Sequence, residues 1–256
     1  MTRIALKIEV PDRRASPDGV AACLDILRRH RAVASFIAAP ERLACLADAA
    51  ADGHETGLLS DLRAPWRRPD AASLAARLMA ARAAFHDACG GEVRLHASIG
   101  EHALPERLRL VQRLGFSMSC DTRGQHPFVP VWNGEIIRCL QLPTTLPTID
   151  ELGRPEIASE PILARLLELT ALPAPAGHLF SLSADRMDAK TRTLLESLLT
   201  GWREQGHEAV SVQALAAKLD IDKLPRHEVV LGTLPGSRDP APMQGKEFLS
   251  DWRQAA

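Results

Sequence analysis

The chain has 256 residues, with 31 Lys and Arg against 32 Asp and Glu, a formal net charge of −1 and 46% hydrophobic residues. This balance, with no long basic block and no aromatic-interleaved basic patch, argues against a nucleic-acid binder. No apolar run approaches the ~18 residues that a membrane span needs. The five cysteines (Cys23, Cys45, Cys89, Cys120 and Cys139) are odd in number, widely spaced and form no C-x-x-C pair; they read as free thiols of a reducing compartment. "MTRIALKIEV" runs straight into a strand-like pattern. The expectation is therefore no signal peptide and a cytoplasmic location, with a peripheral position at the inner membrane as the variant.

Short β-rich runs alternate with helical patterns along the chain. "RIALKIEV" (3–10) reads as a buried first strand. "SPDGVAACLDILRRH" (16–30) reads as a helix, with Ser16 able to cap it, Pro17 suited to its first turn, and Val20, Leu24 and Leu27 on one face. "AVASFIA" (32–38) is the next strand, and "ERLACLADAAAD" (41–52) a short helix stopped by Gly53. His54 to Leu59 reads as a third strand. "DAASLAARLMAARAAFHDAC" (70–89), rich in Ala, Leu and Arg, reads as a helix ending at Gly90-Gly91. Strands follow at 92–98, 116–120, 135–142, 178–183 and 208–212. Helices are expected after Pro105 and over 160–171, 188–205 (capped by Asp188, stopped by Gly206) and 213–219.

Regular alternation of this kind argues a mostly parallel sheet with crossover helices, and the strand number favours a β/α barrel over an open doubly wound sheet. One domain is expected over 1–256. Residues 225–256, which contain "LPGSRDPAPMQG", read as a loop-rich tail wrapping the surface. In parallel β/α folds the chemistry sits where strands end. That directs attention to Glu9–Asp12, Leu58–Arg63, Ser98–His102, Cys120–Arg123, Leu142–Thr145 and Ser183–Asp185.

Several of these stretches carry a resemblance. "LKIEV", "VASFIA", "GHETGLLSDLRAPW", "SCDTRG" and "VLGTLPG" resemble, in this order, segments of the polysaccharide deacetylase (NodB-homology) superfamily. "LPTTLPTIDE" (142–151) is most similar to the branch that removes a formyl group from 4-deoxy-4-formamido-arabinose carried on undecaprenyl phosphate. The resemblance implies a distorted seven-stranded β/α barrel and a metal-dependent hydrolase of non-peptide C–N amide bonds. A carboxylate on the first strand would act as base. A second carboxylate and two histidines of an H-x-x-x-H turn would hold the metal, and a late-strand histidine would act as acid. The metal would lower the pKa of a bound water and polarise the carbonyl.

The residues at these positions depart from that pattern. Glu9 keeps the base carboxylate, one methylene longer. Pro11 stands at the metal carboxylate position, and Leu59 and Arg63 stand at the two histidine positions. None of the three can ligate, since a guanidinium is not deprotonated in a protein. Asp12, next to Pro11, would need a one-residue shift and would point to the other face of a strand. His102 falls where the resemblance places an arginine, Ser183 stands at the acid position, and Asp121 keeps its type. No metal site and no cofactor are expected; a relocated Zn2+ site near Glu9, His102, Asp121 and His126 is the alternative. Glu9 and Ser183 are the candidate catalytic positions, and Arg63, Asp121, Arg123, His102 and Thr145 the candidate binding residues. Arg63 is expected to bridge Glu9 or Asp121 in place of the metal's charge, because an unpaired buried carboxylate is costly. Ser183, Ser98 and Cys120 are conceivable nucleophiles, but no G-x-S-x-G elbow surrounds any serine.

Three functional readings follow. The first is a catalytically degenerate relative that binds a glycan, a lipid-linked sugar or a protein partner. The second is an active deacetylase or deformylase with rearranged metal ligands, dependent on Glu9 and His102. The third is a subunit that pairs with an active paralogue. The deformylase branch has a long insertion before "HETG"; here residues 39–53 fill that gap as a compact helix, which weakens the lipid-carrier surface.

Overall fold

The computed structural model describes residues 2–11, 17–61, 71–101, 103–153, 161–235 and 240–249. Asp12, Ser16, Arg63 and His102 lie outside these residues.

The first strand, β1 (Arg3–Val10), leads into α1 (Pro17–His30); β2 (Ser35–Ala38) leads into a 3-10 turn (Pro40–Cys45) and α2 (Leu46–Ala51). β3 (Glu55–Ser60) precedes α3 (Ala71–Cys89), and β4 (Leu95–Ser98) precedes a 3-10 turn (Ile99–Glu101) and α4 (Pro105–Arg113). Next come β5 (Met118–Ser119), β6 (Val129–Trp132), β7 (Glu135–Ile136) and β8 (Leu140–Gln141), then α5 (Ile149–Leu152) and α6 (Ile162–Ala171). The chain continues through β9 (His178–Ser183), α7 (Ala189–Glu204), β10 (Glu208–Val210), α8 (Val212–Ala216), β11 (Arg226–Thr233) and β12 (Pro240–Glu247).

The main sheet is parallel throughout. β1 pairs with β2 and β9, and the order continues β2-β3-β4-β5-β8, while β10 pairs with the first three residues of β1. The strands curl towards closure. Thr145 and Leu146 donate backbone hydrogen bonds to the Leu179 carbonyl on β9, and the Leu179 amide donates to Thr145 Oγ1 at 2.9 Å. This is the distorted seven-stranded β/α barrel expected, with β10 added beside the start of β1.

Strand parity divides the apolar residues into two layers. Ala5, Ile37, Leu59, Ala97, Cys120 and Leu142 pack inside the curl. Ile4, Leu6, Ile8, Phe36, Leu58 and Phe180 pack outward against the helices, where they meet Leu24, Leu27, Leu78, Phe85, Leu108 and Leu198. The caps follow the sequence: Asp188 accepts from the Thr191 amide at 2.8 Å, and Gly206, at φ 78, ends α7.

Two expectations are corrected. The segment after Pro225, read as a loop-rich tail, forms the antiparallel hairpin β11–β12 in a second, four-stranded sheet ordered β12-β11-β6-β7. Pro240 and Pro242 do not prevent this, because β12 lies at the sheet edge where a missing N–H is tolerated. The run 135–142 is also split: β7 belongs to the second sheet and β8 to the barrel. Between β6 and β7, Asn133 (φ 50) and Gly134 (φ 76) make the tight turn.

Candidate functional site

β1 supplies the centre of the site. Along it, Ala5, Lys7 and Glu9 share the face that points into the barrel, so Lys7 is carried into the interior two residues below Glu9. Its side chain is fully buried. Lys7 Nζ lies 3.0 Å from Glu9 Oε1 and 2.9 Å from Glu101 Oε1. Burial alone would lower the ammonium's pKa, but the charges of Glu101 and Glu9 outweigh it and hold the pKa above the ordinary lysine range.

Glu101 is the hub. It follows Gly100 in the turn after β4, and the two have φ 60 and 61 respectively. The left-handed region suits glycine but costs a glutamate on the order of 1–3 kcal/mol, which persists only where neighbours over-determine it. Here they do. Besides Lys7, Glu101 accepts from the Thr144 hydroxyl and pairs with the Arg123 guanidinium. Burial would raise its pKa; Lys7 first, then Arg123 and Thr144, bring it below the usual carboxylate value. Arg123 also donates to the Leu146 carbonyl at 2.9 Å and pairs with Glu151 at the start of α5. Thr148 caps that helix through a reciprocal capping box with Glu151.

Above this network opens a cavity of about 1400 Å3, lined among others by Glu9, Leu59, Ser60, Glu101, Arg123 and Ser183. Ser183 stands opposite Glu9 in the β1–β9 register, and Ser181 Oγ lies 3.5 Å from Glu9 Oε1. The structure therefore brings Glu9, Ser183 and Arg123 to one cavity. Pro11 and Leu59 line it too, and Leu59 is fully buried in the interior apolar layer.

Two candidates are not brought there. Thr145 helps close the barrel through Leu179 and is not among the lining residues. Asp121 was expected beside Glu9, but it lies on the opposite, outward face of the sheet, fully buried against His96. The reason is parity: Cys120 points inward, so its neighbour points outward. The bridge expected of Arg63 falls on a residue outside those described; Glu9 has Lys7 as its cation.

Lys7 and Glu101 were missed by the sequence reading, although "RIALKIEV" carries a signal. A lysine inside an otherwise apolar strand is almost never fully buried unless paired, so it asks for a buried carboxylate. The outward-facing Ser60 and His96 were missed as well.

A divalent ion fits these residues poorly. Leu59 and Pro11 offer no ligand atom where the resemblance places ligands, and an ammonium already lies between the two inward carboxylates. Among the described residues no group of three His, Cys, Asp or Glu side chains could hold a metal.

No family model matches the chain. Solved structures do. A putative polysaccharide deacetylase from Mycobacterium smegmatis aligns with a TM-score of 0.64 at 13% identity, over 91% of this chain and 96% of that one. A CE4 family pseudoenzyme from Bacillus anthracis aligns with a TM-score of 0.58 at 16% identity, over 89% and 69% of the two chains. The peptidoglycan deacetylase PdaC from Bacillus subtilis aligns at 0.57 and 13%, over 84% and 90%. The fold is thus that of the CE4 polysaccharide deacetylases, in keeping with the NodB-homology resemblance. Among the described residues no helix is long and apolar enough to cross a membrane.

Proposed function

We propose that this chain is a catalytically degenerate relative of the polysaccharide deacetylases. Its barrel-mouth cavity binds a glycan or lipid-linked sugar without the metal-dependent hydrolysis of an acetamido or formamido group. The observation that carries this reading is Lys7. An ammonium fixed within about 3 Å of both Glu9 and Glu101 supplies the positive charge that a divalent ion would otherwise bring to these carboxylates. Glu9 then serves as a hydrogen-bond acceptor at the cavity wall rather than as a base activating a metal-bound water. The cavity volume accommodates a sugar-sized ligand, for which pockets of ~300–1000 Å3 are usual. The carboxylates of Glu9, Asp150 and Asp185, with Arg186, give it hydroxyl-binding partners. The fold's occurrence in a protein described as a CE4 pseudoenzyme supports the reading.

The test is metal and ligand binding on the purified full chain, prepared without chelator and without a histidine tag. After zinc loading and dialysis, only substoichiometric zinc is expected. N-acetylated chito-oligosaccharides and formamido-arabinose should release no acetate or formate. Calorimetry with these sugars, run well below the variant's own melting transition, should show binding that Glu9→Gln weakens while the chain still melts cooperatively. One zinc ion per chain, lost together with amide hydrolysis in Glu9→Ala, would overturn the proposal in favour of a rearranged hydrolase.

A further inference from the structure

The outward face of the same sheet holds a second constellation, built from three adjacent strands. Ser60 ends β3. His96 lies on β4, where its register partners are Leu58 and Ser119. Asp121 follows β5 by two residues. The His96 ring therefore has Ser60 two residues further along one neighbouring strand and Asp121 two residues further along the other. It reaches both. Ser60 Oγ lies 2.6 Å from His96 Nε2, and His96 Nδ1 lies 2.9 Å from Asp121 Oδ2. His96 and Asp121 are fully buried, and Phe116 packs edge-on against the imidazole with ring centroids 5.1 Å apart.

The tautomer follows from the chemistry of the carboxylate. Burial would raise Asp121's pKa, but His96, aided by the hydroxyls of Ser119 and Ser98, holds it below the ordinary aspartate value. An ionised carboxylate only accepts hydrogen bonds, so the imidazole proton on that side sits on Nδ1. In the neutral ring, Nε2 then offers a lone pair to the Ser60 O–H. Ser60, 8% exposed, lines the cavity beside Leu59 and Leu78, whereas His96 and Asp121 are fully buried, so the serine is the member of the relay that borders the cavity.

From this geometry we propose that Ser60, His96 and Asp121 form a nucleophilic relay that cleaves short-chain acyl esters without a metal. Ser60 Oγ bonds to the carbonyl carbon while His96 Nε2 takes its proton. The tetrahedral species collapses, the C–O bond to the leaving alcohol breaks, and His96 returns the proton to that oxygen. Water then attacks the acyl-Ser60 ester, gives a proton to His96, and releases the carboxylic acid as Ser60 recovers its proton. Asp121 stays ionised and orients the ring, the division of labour in a Ser-His-Asp triad. The arrangement needs no G-x-S-x-G elbow, because the strand end itself presents the hydroxyl. This goes beyond sugar binding in the barrel mouth, and either proposal can fail without the other.

The test uses the intact chain with a fluorophosphonate probe and with p-nitrophenyl acetate. Peptide mass spectrometry should find the phosphonyl adduct on Ser60, and the ester should give turnover above buffer. Ser60→Ala, which removes a single oxygen, should abolish both while retaining the circular dichroism spectrum and a cooperative melt. His96→Gln should slow labelling by ~100-fold or more, and Asp121→Asn should slow it too, with Ser60 still the labelled residue. Absence of a Ser60 adduct on the folded wild-type chain would overturn the proposal. So would labelling and ester turnover that His96→Gln leaves unchanged.

Discussion

The two faces of one sheet carry buried polar networks of opposite construction. Inside the barrel mouth, two cations, Lys7 and Arg123, bind three carboxylates, Glu9, Glu101 and Glu151. Outside, one carboxylate, one imidazole and one hydroxyl stand in line. The inner network is held by charge, and each member has an opposite partner that offsets its desolvation. The outer one is a hydrogen-bond chain in which Asp121's ionised form depends on neutral neighbours and on His96. A buried charge compensated by its complement stabilises the fold strongly against loss of one partner. A hydrogen-bond chain with a single carboxylate and no fixed cation is worth less to the fold, and its place at a strand end beside a cavity points to chemistry.

The largest expected effect is therefore on the inner face. Lys7→Met removes the ammonium and, among the described residues, leaves Glu9 with Ser181 near Oε1 and Glu101 with Arg123 and Thr144. Breaking a buried pair from one side costs about 3–5 kcal/mol, which for a chain of this size lowers the melting temperature on the order of 10 °C. The double variant Lys7→Met/Glu101→Gln should recover part of that loss in urea denaturation. Equal destabilisation by the single and double variants would show that the pair is not the source. The pH dependence has a definite sign. Lys7's folded pKa is raised, so its contribution is fully present below the unfolded value of about 10.4 and is lost as pH rises through the folded value. Wild type should weaken above about pH 10 relative to Lys7→Met. On the acid side, Glu101 and Asp121 have lowered folded values, so their contributions are present above about pH 4 and are lost as pH falls below it.

Arg123→Lys sharpens the comparison at smaller amplitude. A lysine keeps the charge but cannot reach Glu101, Glu151 and the Leu146 carbonyl together. About 2 kcal/mol should be lost, the scale of a hydrogen bond to a charged group, and guanidinium chloride titrations would measure it. A loss as large as that of Lys7→Met would make Arg123, rather than Lys7, the organising cation.

How far the sequence revealed these networks depends on geometry that spacing does not encode. The barrel was legible because each strand is a short apolar run bounded by turns and followed by an amphipathic helix. Glu9 and Ser183 were placed at one rim because both end strands that proved to pair. Asp121 was misplaced because "SCDTRG" shows a strand end but not which of its residues points inward. One residue of parity moves a side chain to the other face. The hairpin 226–247 was hidden by its own prolines, which read as loop although an edge strand accepts them. The relay was least legible of all. Its three residues are 36 and 25 positions apart, and only the register of β3, β4 and β5 brings them together.

The smallest predicted effect tests the outer network hardest. Ser60→Ala deletes one hydroxyl from His96 Nε2, leaving the imidazole paired with Asp121 and packed on Phe116. Because Ser60 borders the cavity, water can replace the lost partner, so the stability change should stay near 1 kcal/mol, the ordinary net worth of a hydrogen bond. Thermal and urea denaturation of this variant beside Lys7→Met would measure the contrast directly. A loss of about 3 kcal/mol or more would mean that Ser60 braces the strand ends as firmly as the ion network braces the barrel mouth, and the argument that its position reflects chemistry would lose its thermodynamic basis. A small loss, with the fold intact, leaves the hydroxyl free to be kept for what it faces.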